Sequence, residues 1–453
     1  MLKARAGGWR PFLAALMLAG LLCSVDVRWA GAATLFQQVD IASSPNPVGS
    51  GARALGMGGA FIAVADDATA SSWNPAGLIQ LERPELSIVG AAFWRTEEFS
   101  SKTRPAADNR SRVDERSLNY LSASFPFRAW NRHWVVSANY QRLYEFKRDF
   151  SHEVDFSPSG LDLALEKHFE QDGYLGAFGL ATAIQLSPRI ALGVTLNLWT
   201  DALGSDNGWK DAYTETGTGS QGGVPLTAAT EATDRYSSFR GVNANLGLLW
   251  DINSALTLGA VLKTPFKADI DHEFRFRSTT TVDTAPAPTV TTSEIRVDDT
   301  VHLRMPLSYG LGLALRVSDA LSFDLDVYRT HWSDYRLTDG DGNSFSPIDG
   351  RPKGESNVKD TTQIRFGGEY LWIGSKTVIP LRAGVFYDPE PSEDSVQDFY
   401  GVAAGTGLVY GPIAFDLAYQ YRWGRDVDTG NLIATTRADV DQHTVYGSVI
   451  LHF

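Results

Sequence analysis

Five stretches of the chain carry residue types that can do chemistry. His152-Glu153 and His272-Glu273 each pair an imidazole with a carboxylate. Neither has the second histidine, three residues past the glutamate, that a helical zinc-protease site requires. Asp324 and Asp326 lie two apart in an alternating segment, so they share one face of a strand and could in principle act as an acid–base pair. The polar face of such a strand explains them more simply. Asp339-Gly340-Asp341-Gly342-Asn343 opens like a calcium-binding loop. It then has Ser344 where that loop needs glycine and Gly350 where it needs glutamate, so a turn is expected instead. The glycine-rich run Gly49–Leu78 invites a nucleotide, but it contains no G-x-G-x-x-G and no P-loop lysine. No G-x-S-x-G is present, and the eight histidines are scattered without ligand spacing. No enzymatic activity, metal or cofactor is expected.

The elements that must position these residues read as strands. No run beyond the first thirty or so residues approaches the roughly 18 consecutive apolar residues of a membrane helix. Hydrophobic content is 43% and aromatic content 11%, with 16 Tyr and 12 Trp, which suits interfacial aromatic girdles. A net charge of −13 excludes a nucleic-acid partner, whose phosphates need a basic face. At the start, Lys3, Arg5 and Arg10 precede an apolar Pro11–Leu22 run and an Ala30-Gly31-Ala32 site, so residues 1–32 are expected to be a signal peptide. The single cysteine, Cys23, falls inside it.

From Pro84 onward the chain alternates with period two. Leu307, Tyr309, Leu311, Leu313 and Leu315 alternate with Ser308, Gly310, Gly312, Ala314 and Arg316; Leu321, Phe323, Leu325 and Val327 alternate with Ser322, Asp324 and Asp326. About fourteen such segments follow one another, each near the 9–11 residues that span a bilayer. Short turns, as at Ser187–Arg189 and Ser318–Asp319, alternate with long polar linkers around 96–116, 149–172, 203–235, 276–293, 336–360 and 424–440. Short periplasmic turns and long external loops are the pattern of an outer-membrane barrel. The expectation is an all-β membrane protein: a transmembrane antiparallel barrel of about 14 strands over 84–453. A barrel that wide leaks unless filled, and 33–83 lacks strand alternation, so it is expected to form a lumenal plug, or hatch, containing short helices.

Asp66-Asp67-Ala68 followed by Asn74-Pro75-Ala76 resembles the hatch of FadL-type long-chain fatty acid transporters, a family that includes TodX-type aromatic hydrocarbon channels. Leu256–Ala260 with Phe266-Lys267-Ala268, Met305-Pro306-Leu307 with Thr330-His331-Trp332-Ser333, and Leu381–Val385 with Tyr387-Asp388 are similar to that family in the same order. The resemblance implies passive, energy-independent uptake of a hydrophobic small molecule, a fatty acid or hydrocarbon, through a greasy lumenal pocket with sideways exit into the bilayer. It attributes the exit to a kink in the third strand, yet His133–Arg148 contains neither Gly nor Pro.

Hatch and gating roles are expected for Asp66, Asp67, Asn74, Pro75, Ala76 and Gly77, and ligand contact for Phe36, Arg53, Phe61, Arg316 and Arg382. The arginines are equally explained as lumen charges paired with carboxylates. Phe453 resembles the terminal signal read by the barrel-assembly machinery, or simply ends a strand at the girdle. Outer-membrane lipid and lipopolysaccharide are the expected surroundings, the chain acting as a monomer in the outer membrane of a Gram-negative bacterium. Two rivals stand: a secretion or assembly accessory barrel, since Gly51–Ala60 resembles such proteins too, and a general polar porin.

Overall fold

The computed structural model describes residues 49–102, 108–157, 160–201, 206–428 and 436–453. The expected signal peptide and Phe36 lie outside the described residues. Fourteen wall positions form one closed antiparallel barrel. They are β1 (Glu85–Ser101), β2 (Asn109–Ala129), β3 (Arg132–Phe156), β4 (Leu161–Ser187), β5 (Ile190–Trp199, resuming as Gly208–Gln221), β6 (Val224–Asp251) and β7 (Leu256–Lys263, resuming as Phe266–Val282). The circuit continues through β8 (Thr289–Met305, resuming as Ser308–Arg316), β9 (Leu321–Thr330), β10 (Thr361–Ile373), β11 (Thr377–Tyr387), β12 (Phe399–Tyr410), β13 (Ile413–Asp428) and β14 (Thr436–His452). β1 pairs with β14 from Glu85↔His452 to Ser101↔Thr436, which closes the cylinder. Closure leaves no strand edge unpaired in lipid, the condition for a sheet to span a bilayer.

The two faces of the wall are inverted relative to a water-soluble protein. Leu180 is 70% exposed and Leu311 58%, whereas Asp326 is 0% and Arg422 2% exposed. Apolar side chains look outward to hydrocarbon and charged ones look into the lumen. Among the described residues no helix is long and apolar enough to cross a membrane.

Two expectations need correction, on the linkers and on the third strand. The linkers expected at 149–172, 203–235 and 276–293 are largely hairpin extensions of the strands: β5 and β6 pair from Trp209↔Tyr236 to Gln221↔Val224, and β7 and β8 from Phe276↔Ile295 to Val282↔Thr289. In 276–293, and in part of 203–235, that polarity comes from threonine, a β-branched residue that is polar yet favours strands, while 149–172 is polar through charged residues that alternate with apolar ones; polarity alone mistook all three for loops. Arg316 shares the lumenal face of Gly312 and Ala314, and stands exposed at the last position of β8, where the strand has reached the turn. The third strand does deviate from regularity, without Gly or Pro, through an extra residue at Leu143.

Candidate functional site

Inside the barrel sits the segment that begins at Gly49. It holds a five-residue helix, Ala52–Gly56, a single helical turn, Ala70–Trp73, and a 3-10 turn, Pro75–Gln80. None is long enough to be stable alone; each is fixed by the wall. Asn74 does most of this at one point. Its Oδ1 accepts from Ala76 N at 3.1 Å, capping the 3-10 turn, while its Nδ2 donates to Ile62 O at 2.9 Å and Leu248 O at 3.0 Å. One side chain thereby ties the turn to the rest of the plug and the plug to β6. Pro75 follows at the first helical position, where its missing N–H costs nothing. Ala76 and Gly77 are buried behind it, and a side chain on Gly77 would collide with the Ala65 carbonyl.

Charged anchors surround this turn. Asp326 Oδ2 accepts from Phe61 N at 2.6 Å and Ile62 N at 2.9 Å. Arg365 Nη1 donates to Gly58 O at 2.9 Å, and Tyr120 OH to Ala68 O at 2.8 Å. Asp67 turns inward on its own loop, accepting from Thr69 N at 2.8 Å. A relay of opposite charges links Asp66 to Arg53, Arg53 to Glu369 at 2.9 Å, Glu369 to Arg382 at 2.5 Å and Arg382 to Asp416 at 2.5 Å. Arg53 and Arg382, two of the residues expected to meet a ligand, are therefore committed to carboxylates that fasten the plug. Phe61 packs edge-to-face on Trp73 at 5.7 Å in the plug's own core.

The wall is shaped to receive this segment by glycines at facing positions of neighbouring strands. Gly193 pairs with Gly247, Gly259 with Gly312, and Gly367 with Gly384. A Cβ at Gly259 would lie 2.6 Å from Ile62 O, and one at Gly405 2.9 Å from Gly56 Cα. Plug backbone thus rests directly on wall backbone, a fit that only glycine permits. This belt was not read from the sequence, although glycines on the lumenal face of otherwise regular strands were its visible signal.

Beside the plug lies a cavity of about 130 Å³, lined by Gly51, Leu55 and Trp73 on one side and by Asn119, Leu143 and Glu145 on the other. A smaller space of about 40 Å³ lies among Leu143, Trp199, Phe266 and Trp332, with Asn197 and Asn243 also in its lining. Leu143 borders both. Trp199 stacks on Phe266 at 5.4 Å, and Trp199 Nε1 donates to Asn243 Oδ1 at 2.9 Å, so this indole turns an aromatic face to the space with its polar tip satisfied.

At this same level the wall parts. β2 and β3 pair from Ala129↔Arg132 up to Tyr120↔Gln141 and no further. β2 carries an extra residue at Asn119, since Val89 faces Tyr120 and Gly90 faces Leu118. β3 carries one at Leu143, since Arg142 faces Gly176 and Tyr144 faces Leu175. Two bulges side by side bend both strands and end their ladder. Beyond them the strands are joined only through side chains: Asn119 Nδ2 donates to Arg142 O at 3.2 Å and Ser117 Oγ to Glu145 Oε1 at 3.4 Å, while Arg142 pairs with Glu145 and, at 3.5 Å, with Glu115. Leu118 and Leu121 flank the parting on the exposed face.

A closed barrel with apolar exterior, charged lumen and an internal plug defines an outer-membrane channel. Residues 46–444 match the family described as outer membrane protein transport protein (OMPP1/FadL/TodX), and the chain belongs to that family. Its members are transport channels for hydrophobic compounds rather than enzymes. Among solved structures, a Pseudomonas aeruginosa FadL homologue is 12% identical with a TM-score of 0.55, covering 89% of this chain and 98% of its own. The Pseudomonas putida toluene transporter TodX is 13% identical with a TM-score of 0.53, at 89% and 98% coverage. At these identities the likeness is one of fold. No curated protein matches the chain.

Proposed function

We propose that the chain is a passive channel for long-chain fatty acids or related hydrocarbons, in which the solute settles beside the plug and leaves sideways between β2 and β3. The observation that carries this reading is the coincidence of the ended β2–β3 ladder with the cavity at the plug's flank: Leu143 and Asn119, the two bulge residues, both line it. An apolar solute gains about 0.8 kcal/mol per methylene on leaving water. A lateral path keeps that gain, whereas a path down the barrel axis would return the solute to water. The axis is also obstructed, because the plug backbone lies against the glycine belt. In this reading the residues 33–83 act as the hatch, with Asp66, Asp67 and Asn74–Gly77 holding it, and Phe453, whose N donates to Pro84 O at 3.0 Å, finishing the last strand at the closure. The shared fold with TodX, a toluene transporter, supports the aromatic side of the substrate range.

The test uses a Ser117→Cys/Glu145→Cys variant of the mature chain, which contains no other cysteine if cleavage falls after Ala32. Uptake of a fluorescent fatty acid and of toluene into cells is measured before and after bridging the thiols through disulfides with a short bis-methanethiosulfonate. Bridging abolishes uptake and reductant restores it. Unchanged uptake in the bridged protein rules out this exit, and passage of small sugars through the unmodified protein in liposomes favours a polar porin instead.

A further inference from the structure

On the outward wall, β7 and β8 are both interrupted at one level, at Thr264-Pro265 and Pro306-Leu307. Immediately beyond the break, three cations stand side by side across three strands. Lys267 faces Arg304 in the β7–β8 ladder, and Arg304 faces Arg336, on the short strand Arg336–Thr338 that follows β9. Like charges directly opposite one another on a sheet repel. Among the described residues none of the three is within ion-pair distance of a carboxylate. Asp269, two residues along β7, is engaged by His302 Nδ1 at 2.7 Å. Three other outward arginines of this region are neutralised: Arg329 by Asp360 at 3.2 Å, Arg240 by Asp271 at 3.1 Å and Arg296 by Asp298 at 2.9 Å. The three free cations border a recess of about 370 Å³, with His302, Pro265 and Thr338 completing its walls.

Their height fixes what can reach them. The outward residues directly below are Leu262 on β7 and Tyr309, Leu311 and Leu313 on β8, all exposed and apolar. Apart from Arg329, which faces Tyr309 and is neutralised by Asp360, the row is therefore the first set of charges met on these strands on leaving the hydrocarbon band at the end bearing the long hairpins, where headgroup phosphates lie. Guanidinium forks bind phosphate oxygens in pairs, and a neighbouring ammonium adds a point charge. We infer that Lys267, Arg304 and Arg336 form a binding site for a phosphate group of an outer-leaflet glycolipid, which supplies the anion that this row of cations lacks. The inference rests on the membrane placement of the barrel and not on the transported solute.

The full-length protein is extracted from outer membranes and its retained lipid is weighed by native mass spectrometry. Wild type retains phosphorylated glycolipid, whereas the Lys267→Gln/Arg304→Gln/Arg336→Gln variant loses it by roughly tenfold or more, the scale of one lost charge-assisted contact or several. Arg296→Gln, which removes a neutralised cation on the same strand, retains it fully. Folding is checked by heat-modifiable gel mobility. If the triple variant fails that check, Arg304→Gln alone is read, with a smaller loss expected. Delipidated wild type is then offered intact glycolipid, enzymatically dephosphorylated glycolipid, or inorganic phosphate. Retention of the intact lipid alone supports the site. Equal retention by the folded variant, equal binding of dephosphorylated lipid, or full displacement by inorganic phosphate overturns it. Hydrophobe uptake by the same variant is followed in parallel, and its persistence separates this site from the transport reading.

Discussion

The periplasmic and external halves of this barrel solve opposite problems with the same strands. In the lower half the lumen is closed by contact: glycines bring backbone to backbone, Asp326 and Arg365 bond plug main chain, and the Asp66–Arg53–Glu369–Arg382–Asp416 relay fastens the edge. In the upper half the lumen is lined by large aromatic side chains, strands are interrupted at Thr264-Pro265 and Pro306-Leu307, and the β2–β3 ladder ends. Backbone contact and ion pairs are concentrated around the plug, and irregularity at the level where the proposed reading has a solute bind and leave.

The largest effect expected from breaking this contrast is at Gly247. A valine there places its branched carbon on the Asn74 amide and the plug turn, so overpacking by about 1–3 kcal/mol or more is added to loss of the Asn74 bonds. The variant assembles poorly or carries a displaced plug, seen as large leak conductance in planar bilayers. Asp326→Ala comes next. It strands the buried Phe61 and Ile62 amides, each costing about 1–3 kcal/mol, and lowers the urea midpoint of the folded barrel while raising conductance; Asp326→Asn, which keeps an acceptor, falls between. Asn74→Ala removes two donated bonds and one accepted, with a destabilisation of about 2–3 kcal/mol and a moderate leak. Unaltered conductance in Asn74→Ala would deny it any part in gating.

The external half is sharpened by a different change. Deleting Leu143 leaves Arg142↔Gly176 followed directly by Tyr144↔Leu175, a regular ladder with β4. Stability changes little, while uptake of fatty acid falls by about tenfold or more, the scale of a lost binding contact of about 1.4 kcal/mol. If uptake survives the deletion, the β3 bulge is not what opens the wall. The smallest effect is at Arg296→Gln, where an exposed pair with Asp298 contributes almost nothing in salt; no shift in urea midpoint or conductance is expected.

Strand alternation made the barrel, its polar lumen and its approximate strand number legible in the sequence, because a period of two leaves a signature in every strand. The Asn74-Pro75-Ala76 motif was legible through its family resemblance, and the structure gives the physical reason: its cap, its fixed φ and its close packing each demand a particular residue type. Polarity proved a poor guide to strand ends, as the threonine-rich hairpins show. The partners of Arg53 and Arg382 could not be read either, since Glu369 and Asp416 lie far away in the chain and a lumenal arginine reads the same whether it holds a carboxylate of the protein or of a ligand.

What the sequence determined by itself is which side of each strand meets lipid and that a compact glycine-rich segment precedes them. Only the tertiary structure decided where the wall parts and where the plug is fastened. A bulge is an extra residue relative to a neighbour, and a buried ion pair is a distance between remote strands. Both come into existence only when strands are set side by side in a particular register.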